Sequence, residues 1–406
     1  MSNKPVFGPM TQLIHGRGSN PDEVGIRAHA FPIVQTSSYR FKNAEEGAQM
    51  FEGKIHLDAY SRVSNPNHRI LEERLCILEG GQTAQVFDSG MSAIKTMFLS
   101  LVEQRDEIIA HRNLYGGTYN FLKDLQRFGI KVVFLDARDP ENIDWVLSVR
   151  TKIIFLETPT NPTLEICDFK TIKELVCARG KSDVLVVVDN TFATPVNQRP
   201  LLNGADIVIQ SLTKYINGFG THTGGAIISS EKVMARIWER FNASGGMMDP
   251  EVASRITTNM LTLYDRMRWH NQNGNKVARN LLRHPQVKTV YYPGLPDHPG
   301  HALAKRLMTD FGGMVSFELK DEKQAKKFLD ELAQNREEGK GIITQAVSLG
   351  SVDTLICSPA LSTHHKIPSA ERAAMDISDG LIRLSVGIEN VEDIIYSLER
   401  GFQAIV

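Results

Sequence analysis

The sequence predicts an α/β protein in which a mostly parallel sheet is sandwiched between helices. Short apolar runs typical of buried strands recur at residues 107–111, 131–135, 152–157, 184–189 and 206–210. Helix-like spans separate them, as at residues 168–178. Strands that are apolar on both faces and alternate with helices are typical of a parallel sheet covered by helices. Ligands of such sheets bind at the carboxyl ends of the strands, so the polar residues that follow each strand are candidate site residues.

The length of the chain indicates more than one domain. At 406 residues it exceeds the size at which a single core usually stops growing. We predict an N-terminal arm at residues 1–62, a large domain at 63–261 and a smaller C-terminal α/β domain at 262–406. The arm is rich in Gly, Pro, Asn and Ser and cannot bury a core of its own, so we expect it to contact a neighbouring subunit.

The composition argues against several kinds of partner. The net charge is −1, which predicts neither a nucleic-acid surface nor an anionic-membrane surface. No apolar run approaches the roughly 20 residues that span a bilayer, and the N-terminus lacks the apolar region of a secretory signal. The cysteines lack metal-ligand spacing, so we expect reduced thiols, no metal site and a cytoplasmic location.

The predicted arm ends in a segment that can bind an anion. Residues 60–66 read YSRVSNP. Tyr60 and Arg62 lie two positions apart, so both can face one side of an extended backbone, and arginine makes bidentate contacts with phosphate. The alternative is a turn at residues 65 and 66 that carries an exposed arginine.

Two segments of the predicted large domain are suited to a phosphate and to a flat ligand. After a predicted amphipathic helix at residues 67–78, a strand passes through Ser89 and Gly90 into a helix that begins near Met91. Free N–H groups at a helix N-terminus bind phosphate, although this motif alone is weak because many such junctions bind no ligand. Further along, Tyr115 precedes the paired glycines of LYGGT, where its ring can stack on a flat ligand.

The stretch at residues 206–225 contains the most informative side chains. Its apolar strand leads into Ser211, Thr213 and Lys214. Burial lowers the pKa of a lysine amine, which makes Lys214 a candidate imine-forming nucleophile. The two hydroxyls would point to the same side of an extended backbone and could grip a phosphate. A phosphate site beside an imine-forming lysine indicates pyridoxal 5'-phosphate (PLP). The alternative is that Lys214 is a solvated surface lysine.

Two further charged residues occur where an unpaired charge would be costly. Asp189 directly follows the apolar run LVVV, and a carboxylate there is suited to the pyridinium nitrogen of PLP. The alternatives for Asp189 are a helix N-cap and a structural ion pair. Arg383 lies in the middle of the strand pattern LIRLSVG, where a substrate α-carboxylate bound by the guanidinium fork would balance its charge.

Over nearly its whole length the chain resembles the PLP-dependent enzymes of cysteine and methionine metabolism. These include methionine γ-lyase, cystathionine γ-lyase, cystathionine γ-synthase and the homoserine-ester sulfhydrylases. The motifs YSRxxNP, SGM, LYGGT, ETPTNP, VVDNT, SxTKY and IRLSVG occur in the family's order. The resemblance implies the PLP-dependent transferase fold of aspartate aminotransferase and a homotetramer of two tight dimers.

The resemblance also implies roles for the residues that match the family's motifs. Those that hold the cofactor phosphate are Gly90, Met91, Ser211 and Thr213, joined by Tyr60 and Arg62 of the neighbouring subunit. The catalytic residues are Lys214, which forms the Schiff base, and Tyr115, which stacks on the ring, while Asp189 binds the ring nitrogen. Those that hold the substrate carboxylate or surround the ring hydroxyl are Asn161, Ser348 and Arg383.

The activity that the resemblance implies is γ-elimination on a γ-substituted L-amino acid, which yields an α-keto acid, ammonia and the released γ-group. The alternatives are γ-replacement by a thiol and, in a different class, a catalytically silent PLP-fold binding protein. Positions that differ from family patterns leave the γ-group open. They are Gly117, Phe241, Asn242, Val347 and the THHK segment at residues 363–366. The apolar Val347 argues against a second charged amino-acid group in the substrate.

Overall fold

The computed structural model describes residues 7–16, 29–55, 57–365 and 367–405. The rest of the predicted arm, and Lys366 of the THHK segment, lie outside the described residues. The described chain contains a seven-stranded sheet and a five-stranded sheet. The prediction of an α/β protein with a mostly parallel sheet is confirmed.

The larger sheet has the strand order β1-β7-β6-β5-β4-β2-β3. The strands are β1 Thr83–Phe87, β2 Glu107–His111, β3 Lys131–Leu135, β4 Thr151–Glu157, β5 Leu185–Asp189, β6 Ile207–Gln210 and β7 Gly225–Ser229. Strands β2 to β6 pair in parallel, whereas β7 pairs antiparallel with β1 and with β6. The carboxyl ends of β4, β5 and β6 therefore meet at one edge of the sheet.

Both faces of the larger sheet are buried, which explains the continuous apolar runs of its strands. Along β4, Ile153 and Phe155 belong to one hydrophobic core, while Ile154 and Leu156 belong to another on the opposite face. Alternation of side chains across a strand produces this division, so the central residues of such a strand are apolar on both faces.

Helices precede, connect and follow the strands of the larger sheet. They are α1 Pro9–His15, α2 Ala44–Phe51, α3 Pro66–Glu79, α4 Gly90–Leu101, α5 Gly116–Leu125, α6 Pro140–Val146, α7 Phe169–Ala178, α8 Thr194–Asn197, α9 Glu231–Ser244 and α10 Pro250–Met260. Helix α3 shows how the sequence sets such boundaries. The Asn65 side chain caps its first turn, Pro66 occupies the first helical position, and Gly80 ends it with φ of 78°.

The smaller sheet lies in the C-terminal part of the chain and has the order β10-β11-β12-β9-β8. Its strands are β8 Thr289–Tyr291, β9 Met314–Glu318, β10 Thr344–Gln345, β11 Leu355–Cys357 and β12 Leu381–Ser385. The helices of this part are α11 Leu263–Leu281, α12 His301–Leu307, α13 Glu322–Glu337, α14 Ser369–Ala374 and α15 Val391–Gln403. A separate hydrophobic core, which includes Phe317, Phe328 and Phe402, packs the strands of this sheet against α11, α13 and α15.

Two local features differ from the sequence-based expectations. The expectation of an extended backbone at Ser211 and Thr213 is wrong, because residues 212–217 form turns directly after β6. The strand β7 was not predicted, because the glycine-rich segment before it resembles a long loop. The turns matter for the site, since they redirect the chain at the carboxyl end of β6.

Candidate active site

A cavity of about 480 Å³ lies at the carboxyl ends of the parallel strands. Its volume is in the range of small-molecule sites, roughly 300–1,000 Å³. The predicted site residues that line it are Gly90, Met91, Tyr115, Asn161, Asp189, Ser211, Thr213, Lys214, Ser348 and Arg383. Strand ends of the larger sheet and the middle of β12 in the smaller sheet both contribute to its wall, so residues far apart in sequence meet here.

The Lys214 amine is largely buried in this cavity. Its Nζ donates a hydrogen bond to Ser348 Oγ at 2.8 Å, and its backbone N–H closes a turn onto Ser211 O at 3.2 Å. Burial, and then the positive charge of Arg383, lower the pKa of Lys214 from 10.5 to about 8. Lys214 is therefore not a solvated surface lysine, and near neutral pH a larger fraction of its amine is neutral than for an exposed lysine.

The N-terminus of α4 forms a narrow cradle beside Lys214. Ser89 caps the helix by accepting a hydrogen bond from Ser92 N–H, and the N–H groups of the first turn have no acceptor within the helix. A Cβ on Gly225 would lie 2.2 Å from the Ser89 carbonyl oxygen, so β7 approaches the cap closely. A Cβ on Gly90 would lie 3.1 Å from Ser211 Oγ. The cradle is suited to an anion, because the helix dipole is positive at this end.

Two acids lie next to each other on the cavity wall. Glu157 ends β4 and Asp189 ends β5, and the two residues are register partners. Burial and the Asp189 carboxylate raise the pKa of Glu157 well above its ordinary value, and burial raises the pKa of Asp189. Asp189 Oδ1 accepts hydrogen bonds from Thr191 N–H at 3.1 Å and Thr191 Oγ1 at 2.6 Å.

In the part of the chain that it describes, the structure shows Asp189 neither as a helix N-cap nor in a structural ion pair. The cap of the next helix, α8, is Ala193. Among the described residues, no ion pair joins Asp189 to a cation. Its buried negative charge is therefore suited to a positively charged group of a ligand.

Arg383 also lines the cavity and is only 3% exposed. Its NH1 donates to Asn161 Oδ1 at 3.0 Å, and its NH2 donates to the Ser348 carbonyl oxygen at 3.0 Å. Ser348 has φ of 89°, an uncommon conformation for a residue with a side chain. This conformation lets Ser348 contact Arg383 through its carbonyl and Lys214 through its hydroxyl.

Glu157 is a polar residue at a predicted strand end, but the sequence assigned it no role in the site. Its Oε2 accepts the Tyr115 backbone N–H at 2.8 Å, and its Oε1 accepts the Asn161 backbone N–H at 2.8 Å. Its position at a strand end was a signal in the sequence, but its partners were not visible there. Sequence reasoning also missed Thr191, Phe192 and Thr223, which line the cavity.

Tyr60 and Arg62 are not among the residues that line this cavity. Tyr60 is 46% exposed, and the Arg62 guanidinium lies 5.6 Å from the centre of its ring. Arg62 also donates a hydrogen bond to the carbonyl oxygen of Asn242. Within one chain, the two residues therefore form a separate exposed pair.

The positions that differ from family patterns fall in different places. Val347 lines the cavity and is 58% exposed, and Thr363 of the THHK segment also lines it. Gly117 lies beneath the Tyr115 ring, since a Cβ there would be 2.6 Å from Tyr115 Cε1. Phe241 instead packs in the core.

The described residues contain no group of three or more His, Cys, Asp or Glu side chains that could hold a metal ion. His364 of the THHK segment is buried, and its Nδ1 lies 2.9 Å from Thr363 Oγ1.

Comparison with known proteins decides the family. A family model described as Cys/Met metabolism PLP-dependent enzyme matches residues 10–403. The chain belongs to this family. Membership confirms the resemblance seen in the sequence and makes the protein a PLP-dependent enzyme.

Relatives in the family match the chain over nearly its whole length. The chain is 42% identical over 382 residues to L-methionine gamma-lyase of Fusobacterium nucleatum subsp. polymorphum, with 93% of this chain and 94% of the relative covered. It is 38% identical over 397 residues to cystathionine gamma-lyase of Bacillus subtilis (strain 168), with 97% and 99% covered. The crystal structure of cystathionine gamma-lyase from Lactobacillus plantarum complexed with L-serine matches with a TM-score of 0.89 and 36% identity, covering 98% of this chain and 99% of that chain.

The cavity fits the cofactor of this family. The Lys214 amine is suited to condense with the aldehyde of PLP, and the cradle at Gly90 is suited to bind its phosphate. The buried Asp189 carboxylate is suited to pair with its protonated ring nitrogen. Among the described helices, none has the length and apolar character needed to cross a membrane.

Proposed function

We propose that the protein catalyses PLP-dependent γ-elimination on a small γ-substituted L-amino acid, giving an α-keto acid, ammonia and the released γ-group. The observation that carries this proposal is the buried Lys214 amine, which shares one cavity with Asp189 and Arg383. The relatives named L-methionine gamma-lyase and cystathionine gamma-lyase support elimination over γ-replacement. Membership in an enzyme family counts against a silent binding protein.

The cavity residues divide into those that hold PLP and those that act on substrate. When bound, PLP supplies an aldehyde that condenses with amines and a ring that accepts electrons from the substrate Cα. We assign its phosphate to the cradle formed by the Gly90 and Met91 amides with the hydroxyls of Ser211 and Thr213. Asp189 would face the ring nitrogen and keep it protonated, and Tyr115 would lie against the ring face.

Lys214 is assigned the proton transfers. Its pKa of about 8 lets its amine accept a proton near neutral pH and return it later in the reaction. Because its stem is long and flexible, one amine can reach both Cα and Cβ, the two carbons that must lose protons before a γ-group leaves. The hydrogen bond to Ser348 Oγ keeps the amine on the substrate side of the cavity. Tyr115 is the second acid–base candidate.

Arg383 is assigned the substrate α-carboxylate. Two of its nitrogens contact Asn161 and Ser348, which fixes the guanidinium plane in the cavity wall. A fixed guanidinium binds a carboxylate through two parallel hydrogen bonds and so orients Cα relative to Lys214.

The region around Val347 is assigned the γ-group. The charged residues that line the cavity are Glu157, Asp189, Lys214 and Arg383, within the part of the chain that the structure describes. Glu157 lies beside Asp189. The charges of Asp189, Lys214 and Arg383 are assigned to PLP or to the amino-acid end of the substrate. Val347, Thr363 and Phe192 offer uncharged walls, which suit a small, uncharged γ-group such as a methylthio group.

We further propose a cytoplasmic homotetramer built from two dimers whose sites are shared. Tyr60 and Arg62 lie outside the cavity of their own chain, and an exposed arginine beside a tyrosine suits a phosphate in a neighbouring subunit. Among the described residues, Cys76, Cys167, Cys177 and Cys357 form no disulfide bond, which supports a reducing compartment. The proposed domains are residues 1–62, 63–261 and 262–406.

The test is a panel of γ-substituted L-amino acids incubated with the PLP-loaded protein, with and without an added thiol. Elimination predicts α-keto acid and ammonia from at least one γ-substituted substrate. A thioether formed only with the thiol, without keto acid, would instead establish γ-replacement. The matched control is Lys214→Ala, which should form neither product. Wild-type protein that forms neither product from any substrate in the panel would reject the proposed function.

A further inference from the structure

Glu157 connects two parts of the cavity wall that are far apart in sequence. One carboxylate oxygen accepts the backbone N–H of Tyr115, at the start of α5, and the other accepts the backbone N–H of Asn161, in the loop after β4. Both distances are 2.8 Å. The side chains of both partners line the cavity. A single carboxylate therefore fixes the backbone beneath two of the assigned site residues.

The contacts continue from Glu157 to the substrate anchor. Asn161 Oδ1 accepts a hydrogen bond from Arg383 NH1 at 3.0 Å. A change in the Asn161 backbone would therefore move the amide that orients the Arg383 guanidinium. Glu157 thus has a path to the amino-acid end of the substrate as well as to the ring of Tyr115.

Burying a carboxylate at this position costs free energy that burying a neutral side chain would not cost. Glu157 is only 4% exposed and is the register partner of Asp189, so its charge is both buried and close to a like charge. A glutamine of the same length would avoid both costs. Glutamine has one acceptor oxygen and one donor NH2 group, however, so it could accept only one of the two N–H groups. The structure thus gives a reason for an acid here, namely two simultaneous acceptor contacts.

We infer that Glu157 is a positioning residue that sets Tyr115 and Asn161 relative to each other through its two backbone hydrogen bonds. The inference rests on the proposed function for its effect on turnover. Its effect on ligand binding does not depend on which γ-group leaves, because every amino-acid ligand presents the same α-carboxylate to Arg383.

The experiment compares Glu157→Gln with a matched Glu72→Gln control. Glu72 is also a largely buried acid that accepts a backbone N–H, from Val86 at 3.0 Å, but it lies outside the cavity. For each PLP-loaded protein, glycine binding is measured from the change in cofactor absorbance. Glycine has an α-amine and an α-carboxylate but no γ-group. The dissociation constants of glycine and PLP, and kcat and KM for the best substrate of the panel, are then compared.

Glu157→Gln should weaken glycine binding by about tenfold or more and lower kcat by about tenfold or more, since one of the two buried backbone N–H groups is left without an acceptor. Glu72→Gln should leave these values unchanged. The Glu157→Gln and Asn161→Ala effects on glycine binding should not multiply in the double variant, because both act through the same path to Arg383.

Glycine binding in Glu157→Gln equal to that of wild type would overturn the inference, and so would fully multiplicative effects in the double variant. If Glu157→Gln does not yield folded protein, Glu157→Asp keeps the charge but shortens its reach, and the same losses are expected. Failure of the proposed function can be told apart from failure of this inference. It would appear as wild-type protein that binds glycine but releases no keto acid from any γ-substituted substrate.

Discussion

Lys214→Met should abolish turnover and, in PLP-free protein, raise stability at neutral pH. Methionine replaces the amine with an apolar side chain of similar length, so the cavity wall stays filled. Loss of an acid–base group alone should lower kcat by about 10²- to 10⁴-fold. The gain in stability is expected because the ammonium of Lys214 is held in a buried site near Arg383.

The size of the expected stability gain follows from the lowered pKa of Lys214. The value falls from 10.5 to about 8 on folding, which corresponds to about 3 kcal/mol at 1.36 kcal/mol per pKa unit. The unfolded chain binds the proton more tightly, so stability rises with pH between about 8 and 10.5. The penalty is fully present below pH 8 and disappears above the unfolded pKa. Lys214→Met should therefore be more stable than wild type at pH 7 by up to about 3 kcal/mol, and this difference should shrink toward pH 10.

The assay is denaturant or thermal unfolding of both PLP-free proteins at pH 7 and pH 10, at equal protein concentration because oligomers depend on it. Lys95→Met is the matched control, since Lys95 lies exposed on α4 and its removal should change stability by less than about 0.5 kcal/mol. A Lys214→Met protein that is no more stable than wild type at pH 7 would refute the reasoning. A stability gain that persists unchanged at pH 10 would refute the assignment of that gain to the buried charge.

Three further substitutions probe the rest of the site. Arg383→Lys keeps the positive charge but loses the two-pronged guanidinium contact. KM should therefore rise about 10- to 100-fold for every amino-acid substrate, while cofactor absorbance stays the same. A rise confined to one substrate would place Arg383 in the γ-group pocket. Gly225→Ala places a Cβ 2.2 Å from the Ser89 carbonyl oxygen, so the PLP dissociation constant, measured by equilibrium dialysis, should increase; unchanged affinity would mean that β7 does not shape the cradle. Arg62→Ala should lose PLP readily, yet subunits mixed with Lys214→Ala subunits should recover part of the activity; verified mixed dimers without recovery would count against shared sites.

The fold was predictable from the sequence because buried parallel strands have a strong signal. Strands such as β5, with consecutive apolar residues followed by Asp189, identified both the sheet and the edge at which a ligand binds. Strand β7 lacked this signal, since it begins at a glycine and follows glycines that resemble a loop. The turn at Lys214 was missed because a strand that continues and a strand that turns look alike in sequence until a tertiary contact, here the one with Ser348, distinguishes them.

The candidate site was predictable only for residues whose type is unusual in its local setting. A lysine after a buried strand or an arginine within one, as at Lys214 and Arg383, stands out without any knowledge of the partner. Glu157 accepts hydrogen bonds from backbone N–H groups, and a backbone N–H has no sequence signature. Its partner at Tyr115 is 42 positions away. Tyr60 and Arg62 stood out in the sequence, yet a single chain gives them no ligand.

The ionisable groups of the cavity suggest how cofactor binding and stability are connected. In the chain alone, burial raises the pKa of Asp189 and lowers that of Lys214, so both groups are shifted toward their neutral forms. A ligand that brings a protonated nitrogen to Asp189 and removes the amine of Lys214 by condensation would relieve both penalties at once. The same charges that weaken the PLP-free protein would then favour the bound state, because binding to the folded chain alone stabilises it. The stability gained on adding PLP should therefore be larger in wild type than in Lys214→Met, in which one of the two penalties is already absent.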